Sequence, residues 1–161
     1  MANSKFSLTY FKDERIIELV KKTDKKILAI WAIDCAERVL PFFEKKYPQD
    51  NRPRKAIETL QEWIKIGVFK MSVIRGASLG SHAAAREVGE DNPSRSAARA
   101  AGQAVATAHV KTHSMGSAIY ALQAICRETA NSSQFDVEAA ISKEREWQYK
   151  HLIELINKKQ I

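Results

Sequence analysis

The chain reads as an all-α protein, a compact bundle of six or seven helices forming one domain over residues 1–161. Three observations predict this. Apolar residues recur at helical spacing from residue 13 to residue 158 with only short interruptions. No stretch alternates apolar and polar residues as a half-buried strand would. The interruptions carry helix punctuation, with Asp or Asn ahead of a run and Gly or Pro at its borders.

Ile16, Ile17, Leu19 and Val20 define the first helix, residues 13–22, with Asp13 as its amino-terminal cap. Asp24 caps the second, which runs through Ile27, Leu28, Trp31, Cys35, Val39 and Phe42. Pro41, which lacks a backbone donor, kinks or terminates that helix near its end. Residues 47–52 read as a loop, and Pro53 then falls in the first turn of a helix, where its missing N–H costs little. That helix carries Ile57, Leu60, Trp63 and Ile64 and stops at Gly67. A further helix spans residues 72–88 and ends at Gly89. After a loop at 90–93, Asn92 or Ser94 opens an alanine-rich helix reaching about residue 112. Residues 114–129 make another helix or continue the previous one. Residues 135–158 form a long amphipathic helix with Val137, Ile141, Trp147, Leu152 and Leu155. Gly76, Gly80 and Ala84 recur every four residues, as do Ala98, Gly102 and Ala106, which predicts two helix backbones packed closely together.

Composition narrows the function classes. With 45% hydrophobic and 28% charged residues in 161, the chain can bury a core without a disulfide or structural metal. Cys35 and Cys126 sit in apolar runs outside any CxxC pair, as reduced, buried thiols do. No apolar run approaches the ~20 residues of a membrane span, and no secretion signal opens the chain, so a cytoplasmic protein without membrane contact is expected. The net charge of +7 permits nucleic acid, an anionic membrane surface or an acidic partner and selects none of them. The basic pairs are spread over several helices, with no zinc finger, recognition-helix turn or aromatic RNA-binding signature beside them. Nucleic-acid binding is therefore an alternative that rests on charge alone.

Two constellations could carry chemistry. In "HVKTH", His109 and His113 are four residues apart and share a face if the helix is continuous, a spacing that zinc uses. His82 on the neighbouring glycine-rich helix, with Asp34 or Glu37, would complete a metal-assisted hydrolase site. The motif lacks the glutamate of HExxH, however, and fixes no third ligand. Hydrogen-bonded structural histidines, no cofactor and no enzyme activity are the favoured expectation. The second constellation is a polar cluster around "WAIDCAER": Trp31, Asp34, Glu37 and Arg38, joined by Arg52, His109, His113 and Tyr120. Asp34 and Arg38 lie one helical turn apart and are expected to pair, with Arg52 closing the arrangement. No GxSxG elbow and no phosphate-binding glycine loop is present.

The stretches "WAIDCAERVLPFFEKKYPQDNRPRKAIETLQEW" and "AAGQAVATAHVKTHSMGSAIYALQAI" resemble a bacterial family of helical immunity proteins. The matching positions are Trp31, Asp34, Cys35, Ala36, Glu37 and Arg38; Asp50, Arg52 and Pro53; and residues 104–109 with His113, Gly116 and Tyr120. The likeness covers residues 27–125. It implies a non-enzymatic protein that binds and neutralises a cognate toxin, with no catalytic residue and no cofactor; it names no toxin and sets no oligomeric state. A basic immunity protein needs either a partner that is acidic where it docks or a locally acidic face of its own. Glu87, Glu90, Asp91 and the carboxylates of residues 138–146 are the candidates for such a face.

Overall fold

A computed structural model describes residues 8–159. A 3-10 turn, Leu8–Phe11, precedes eight α-helices: α1 (Glu14–Lys22), α2 (Lys25–Glu37), α3 (Leu40–Glu44), α4 (Arg52–Ile66), α5 (Met71–Glu87), α6 (Pro93–Ala106), α7 (His113–Glu128) and α8 (Gln134–Lys159). The described residues contain no strand, so the all-α expectation holds, with eight helices instead of six or seven.

The extra helix comes from Pro41. It sits in the first turn of α3, so α2 closes at Glu37 and a separate short helix begins. Continuing α2 through position 41 would leave a carbonyl one turn back without its donor, whereas the ring suits a helix start. The caps follow sequence. Asp13 accepts from the backbone N–H of Arg15, Asp24 from that of Ile27 and Asn92 from that of Arg95. Gly67 ends α4 at φ 71°, a left-handed conformation that a side chain would oppose.

Helix α6 is the axis of the molecule, in contact with α2, α3, α4, α5 and α7. Its composition explains how. Ala97, Ala98, Ala100, Ala101 and Ala104 are all fully buried, so small side chains face every neighbour and let helices crowd round it. Buried and half-buried serines replace bulk with hydrogen bonds. Ser81 Oγ donates to the Ala98 carbonyl (2.6 Å), Ser78 Oγ to the Gly102 carbonyl (2.9 Å) and Ser94 Oγ to the Phe42 carbonyl (2.8 Å). The larger side chains pack outside this axis. Ile57 and Leu60 of α4 with Leu40 and Phe43 of α3 form one mass, while Ile16, Val20, Leu28, Trp31 and Leu152 form another between α1, α2, α7 and α8. Cys35 is buried in the second mass, where burial pushes its thiol well up, and Cys126 is buried in a third with Phe11, Leu122, Val137 and Ile141.

Two sequence expectations fail here. α6 stops at Ala106, not near residue 112, and residues 107–112 turn back towards α1. There Lys111 Nζ donates to the carbonyls of Lys21 (2.8 Å) and Thr23 (3.2 Å), which lie at the carboxy-terminal end of α1. A cation at that end meets the negative pole of the helix, a tertiary contact that no local periodicity encodes. The α5 glycines also do not mediate close helix packing. Nothing lies within 4 Å of the Cβ that Gly76 or Gly80 lacks, because α5 turns Ser81, Ala84 and Ala85 towards α6 instead. The tight sites are Gly102 and Gly116, where a Cβ would meet His82 Nε2 at 2.8 Å and Gln103 Oε1 at 2.6 Å.

Candidate functional site

The polar residues around Trp31 part into separate arrangements. Trp31 is fully buried, and its Nε1–H donates to the carbonyl of Gln148 on α8 (2.9 Å). Arg38 turns away from Asp34 and forms a two-point pair with Glu144 (2.6 and 2.8 Å). Asp34 instead accepts from Nε2–H of His151 (2.7 Å). Both partners flank Trp147, with the Arg38 guanidinium 3.9 Å above the ring centroid and the His151 ring stacked at 4.8 Å. The expected Asp34–Arg38 pair is therefore replaced by two links from α2 to α8. The reason is geometric. Glu144, Trp147, Gln148 and His151 share the face of α8 that carries Ile141 and Leu152, so they meet the side of α2 that presents Asp34 and Arg38. The sequence signal was the polar residues at 144 and 148, spaced at helical intervals between apolar ones.

Glu37 and Arg52 belong elsewhere. Glu37 accepts from Arg54 (2.5 Å), which also binds Glu44 (2.7 Å) and ties α2 and α3 to α4. Arg52 pairs with Asp50 (2.7 Å) and with Glu87 at the end of α5 (2.5 Å), and its hydrogen bonds hold both carboxyls below their ordinary range. Tyr120 packs, partly buried, against the main hydrophobic mass.

The histidines meet on the other side of the molecule, where α5 runs beside α6 and the turn into α7. His113 Nδ1–H donates to Gln103 Oε1 (2.8 Å), and Gln103 lies over Gly116. His82 occupies the space left by Gly102, with Arg99 Nη1 at 3.4 Å from its Nδ1. Exposed His109 stacks on Phe69 at 6.2 Å. His109 and His113 do not share a helix, since α7 begins at His113 and His109 lies in the preceding turn. Among the described residues no three His, Cys, Asp or Glu side chains are placed to hold a metal ion. The carboxylates proposed for such a site, Asp34 and Glu37, are engaged by His151 and Arg54.

What this side offers is a groove of about 350 Å³ lined by Met71, Ile74, Arg75, Ser78, Leu79, Ala106, His109 and His113. A second, of about 510 Å³, lies between α4 and α5 over Trp63, Ile66, Val68, Val73 and Ile74. The α4–α5 loop and the helix turns beside it are apolar and open: Ile66, Val68, Phe69, Met71, Val73 and Leu79 are each at least 42% exposed. Exposed apolar side chains scattered singly need no explanation, whereas these six fall within residues 66–79, a concentration of the kind found at contact surfaces.

Around His82 this side is cationic, whereas the second groove carries Glu58 and Glu62 beside Lys55 and Lys70. Burial, followed by the nearby charges of Arg99, Arg86 and His113, pushes the His82 imidazole down to about 4. His113 is lowered too, by burial and by His109. In the unfolded chain His82 takes up its proton near 6.5, so the unfolded state binds more protons between there and about 4. Stability is thus fully present above the upper value and is lost as pH falls through the window. Urea denaturation at about pH 7.5 and about pH 4.5 should differ by ~1–2 kcal/mol from His82, less than the whole shift because water reaches part of the ring. The His82→Asn variant should show a smaller difference between the two pH values; an unchanged difference would place His82 in ordinary solvent.

A family model described as "Imm-5 like putative immunity protein" matches residues 18–155. No curated protein and no solved structure matches the chain.

Proposed function

The chain belongs to the Imm-5 like immunity protein family, and from that premise we propose that it binds and neutralises a cognate toxin in the cytoplasm of the cell that makes it. The observation that carries this reading is the extent of the family match, residues 18–155, which takes in every helix that packs on α6. The surface supports it. Each exposed apolar side chain of residues 66–79 is already about half-buried, so covering it with a partner would contribute ~1 kcal/mol before the costs of association are subtracted. An immunity protein of this kind neutralises by occupying a surface and needs no chemistry of its own. The polar groups around Trp31 and Arg54 then serve as the rigid frame that holds the surface in place.

The test is growth. Cells expressing a toxic polypeptide encoded beside this gene should survive when this chain is co-expressed, and the two proteins should co-elute in gel filtration. Continued killing, with the two proteins eluting separately at micromolar concentration, would end the reading.

A further inference from the structure

On α5, residues 75, 79, 82 and 86 follow at intervals of four, three and four and so form one stripe. Arg75, Leu79 and Arg86 are exposed along it, and Arg99 of α6 reaches its middle beside His82. We propose that this stripe, Arg75, Leu79 and Arg86 with Arg99 and His113 beside it, receives an acidic segment of the partner protein anchored by apolar side chains. The proposal rests on the protein-binding reading above and names the face and the chemistry of what it binds.

The argument is one of charge left over. In this part of the chain the carboxylates are engaged by other cations. Glu87 is held by Arg52 (2.5 Å), Asp91 by Arg95 (2.9 Å) and Arg127 (3.3 Å), and Glu90 lies 3.8 Å from Lys46. On α8, Glu144 is engaged by Arg38 and Glu146 by Arg15, while Glu138 accepts, among the described residues, only from the Gln134 amide. Of the carboxylates that the sequence suggested for an acidic face, all but Glu138 are thus met by a cation of this chain, and among the described residues Arg75, Arg86 and Arg99 take part in no ion pair. A guanidinium without a counterion, beside a groove with no carboxylate in its lining, is complementary to a carboxylate brought by another molecule.

The neighbouring apolar groups decide which acidic molecule. The groove beside Arg75 is floored by Met71, Ile74 and Leu79 and is open enough, at about 350 Å³, to take large apolar side chains. A nucleic-acid backbone would use the arginines and leave these side chains wet. A polypeptide carrying Asp or Glu between Leu or Phe residues would use both.

The experiment is an NMR titration of the ¹⁵N-labelled full chain with two synthetic peptides of about 15 residues, one alternating Glu with Leu and Phe and one with Lys replacing Glu, and with a short DNA duplex. The acidic peptide should shift amides of residues 71–86 and 99–113 and bind about tenfold more weakly when salt rises from about 50 to about 300 mM. Arg75→Glu and Leu79→Asp, both at exposed positions and so expected to fold as wild type by circular dichroism, should each weaken it about tenfold. Shifts elsewhere, equal binding of the lysine peptide, no binding of the acidic one, unaffected variants, or tighter binding of DNA would each overturn the proposal. The parent reading fails separately. A toxin neutralised equally well by wild type and by the Arg75→Glu, Leu79→Asp double variant would overturn this placement and leave toxin binding intact. A chain that binds the acidic peptide here and protects against no toxin would do the reverse.

Discussion

Replacing Trp31 with alanine should remove about 3–5 kcal/mol of unfolding free energy, the largest single loss expected in this molecule. The indole is wholly enclosed between α2, α7 and α8, beside Leu28, Cys35, Ala118 and Leu152, so truncation leaves a void that those backbones cannot close by small shifts. The substitution also deletes the Nε1–H bond to the Gln148 carbonyl at 2.9 Å, the one polar tie from this ring to α8. Trp31→Phe separates the two contributions. It keeps most of the volume and loses the donor, and should cost about 1–2 kcal/mol. In a chain of this length each kcal/mol moves the melting temperature by about 2–4 °C, so calorimetry should place the alanine variant about 10–15 °C below wild type and the phenylalanine variant close to it. Equal losses from both would mean that packing is not what Trp31 contributes.

The second large effect is expected at Arg38. Its partner Glu144 has only 7% of its side-chain surface exposed, while Arg38 itself has 41%. The pair is therefore asymmetric. Arg38→Ala strands a buried carboxylate and should cost about 2–4 kcal/mol, towards the lower part of the range for broken buried pairs because one partner already touches water. The loss includes the guanidinium that covers Trp147, worth about 0.5–1 kcal/mol. Glu144→Gln should cost less, since a neutral amide is cheaper to bury and can still accept from Arg38. In the double variant Arg38→Ala, Glu144→Ala the stranded charge is gone, so the losses should fall short of additive by about 1–2 kcal/mol. Strict additivity in chemical denaturation would show that the two residues do not depend on each other.

These two sites also show how far single-sequence reasoning reaches. Trp31, Asp34, Glu37 and Arg38 stand out in sequence because a buried helix that carries charges must satisfy them. Which groups satisfy them is a different question. The i, i+4 rule points to Asp34–Arg38, and the folded chain uses His151 and Glu144, more than a hundred residues away. Helix spacing says which residues share a face; it does not say what faces them. The histidines show the converse. Their spacing implies a shared face only on a continuous helix, and the turn at 107–112 removes that condition. His82 could not be assigned to Gly102 from the sequence, because the space a glycine vacates is filled by whichever side chain the packing brings there.

The helix content, the caps at Asp13, Asp24 and Asn92, the stop at Gly67 and the absence of a long apolar span were all legible in the order of residues. They are local, set by groups within one turn of each other, and so survive without knowledge of the fold. The pairing of α2 with α8, the central place of α6 and the cations left uncompensated along α5 were settled only when distant helices met. An ion pair is a choice among many partners of similar chemistry, and three-dimensional packing alone decides which carboxylate each arginine reaches, and which arginines reach none.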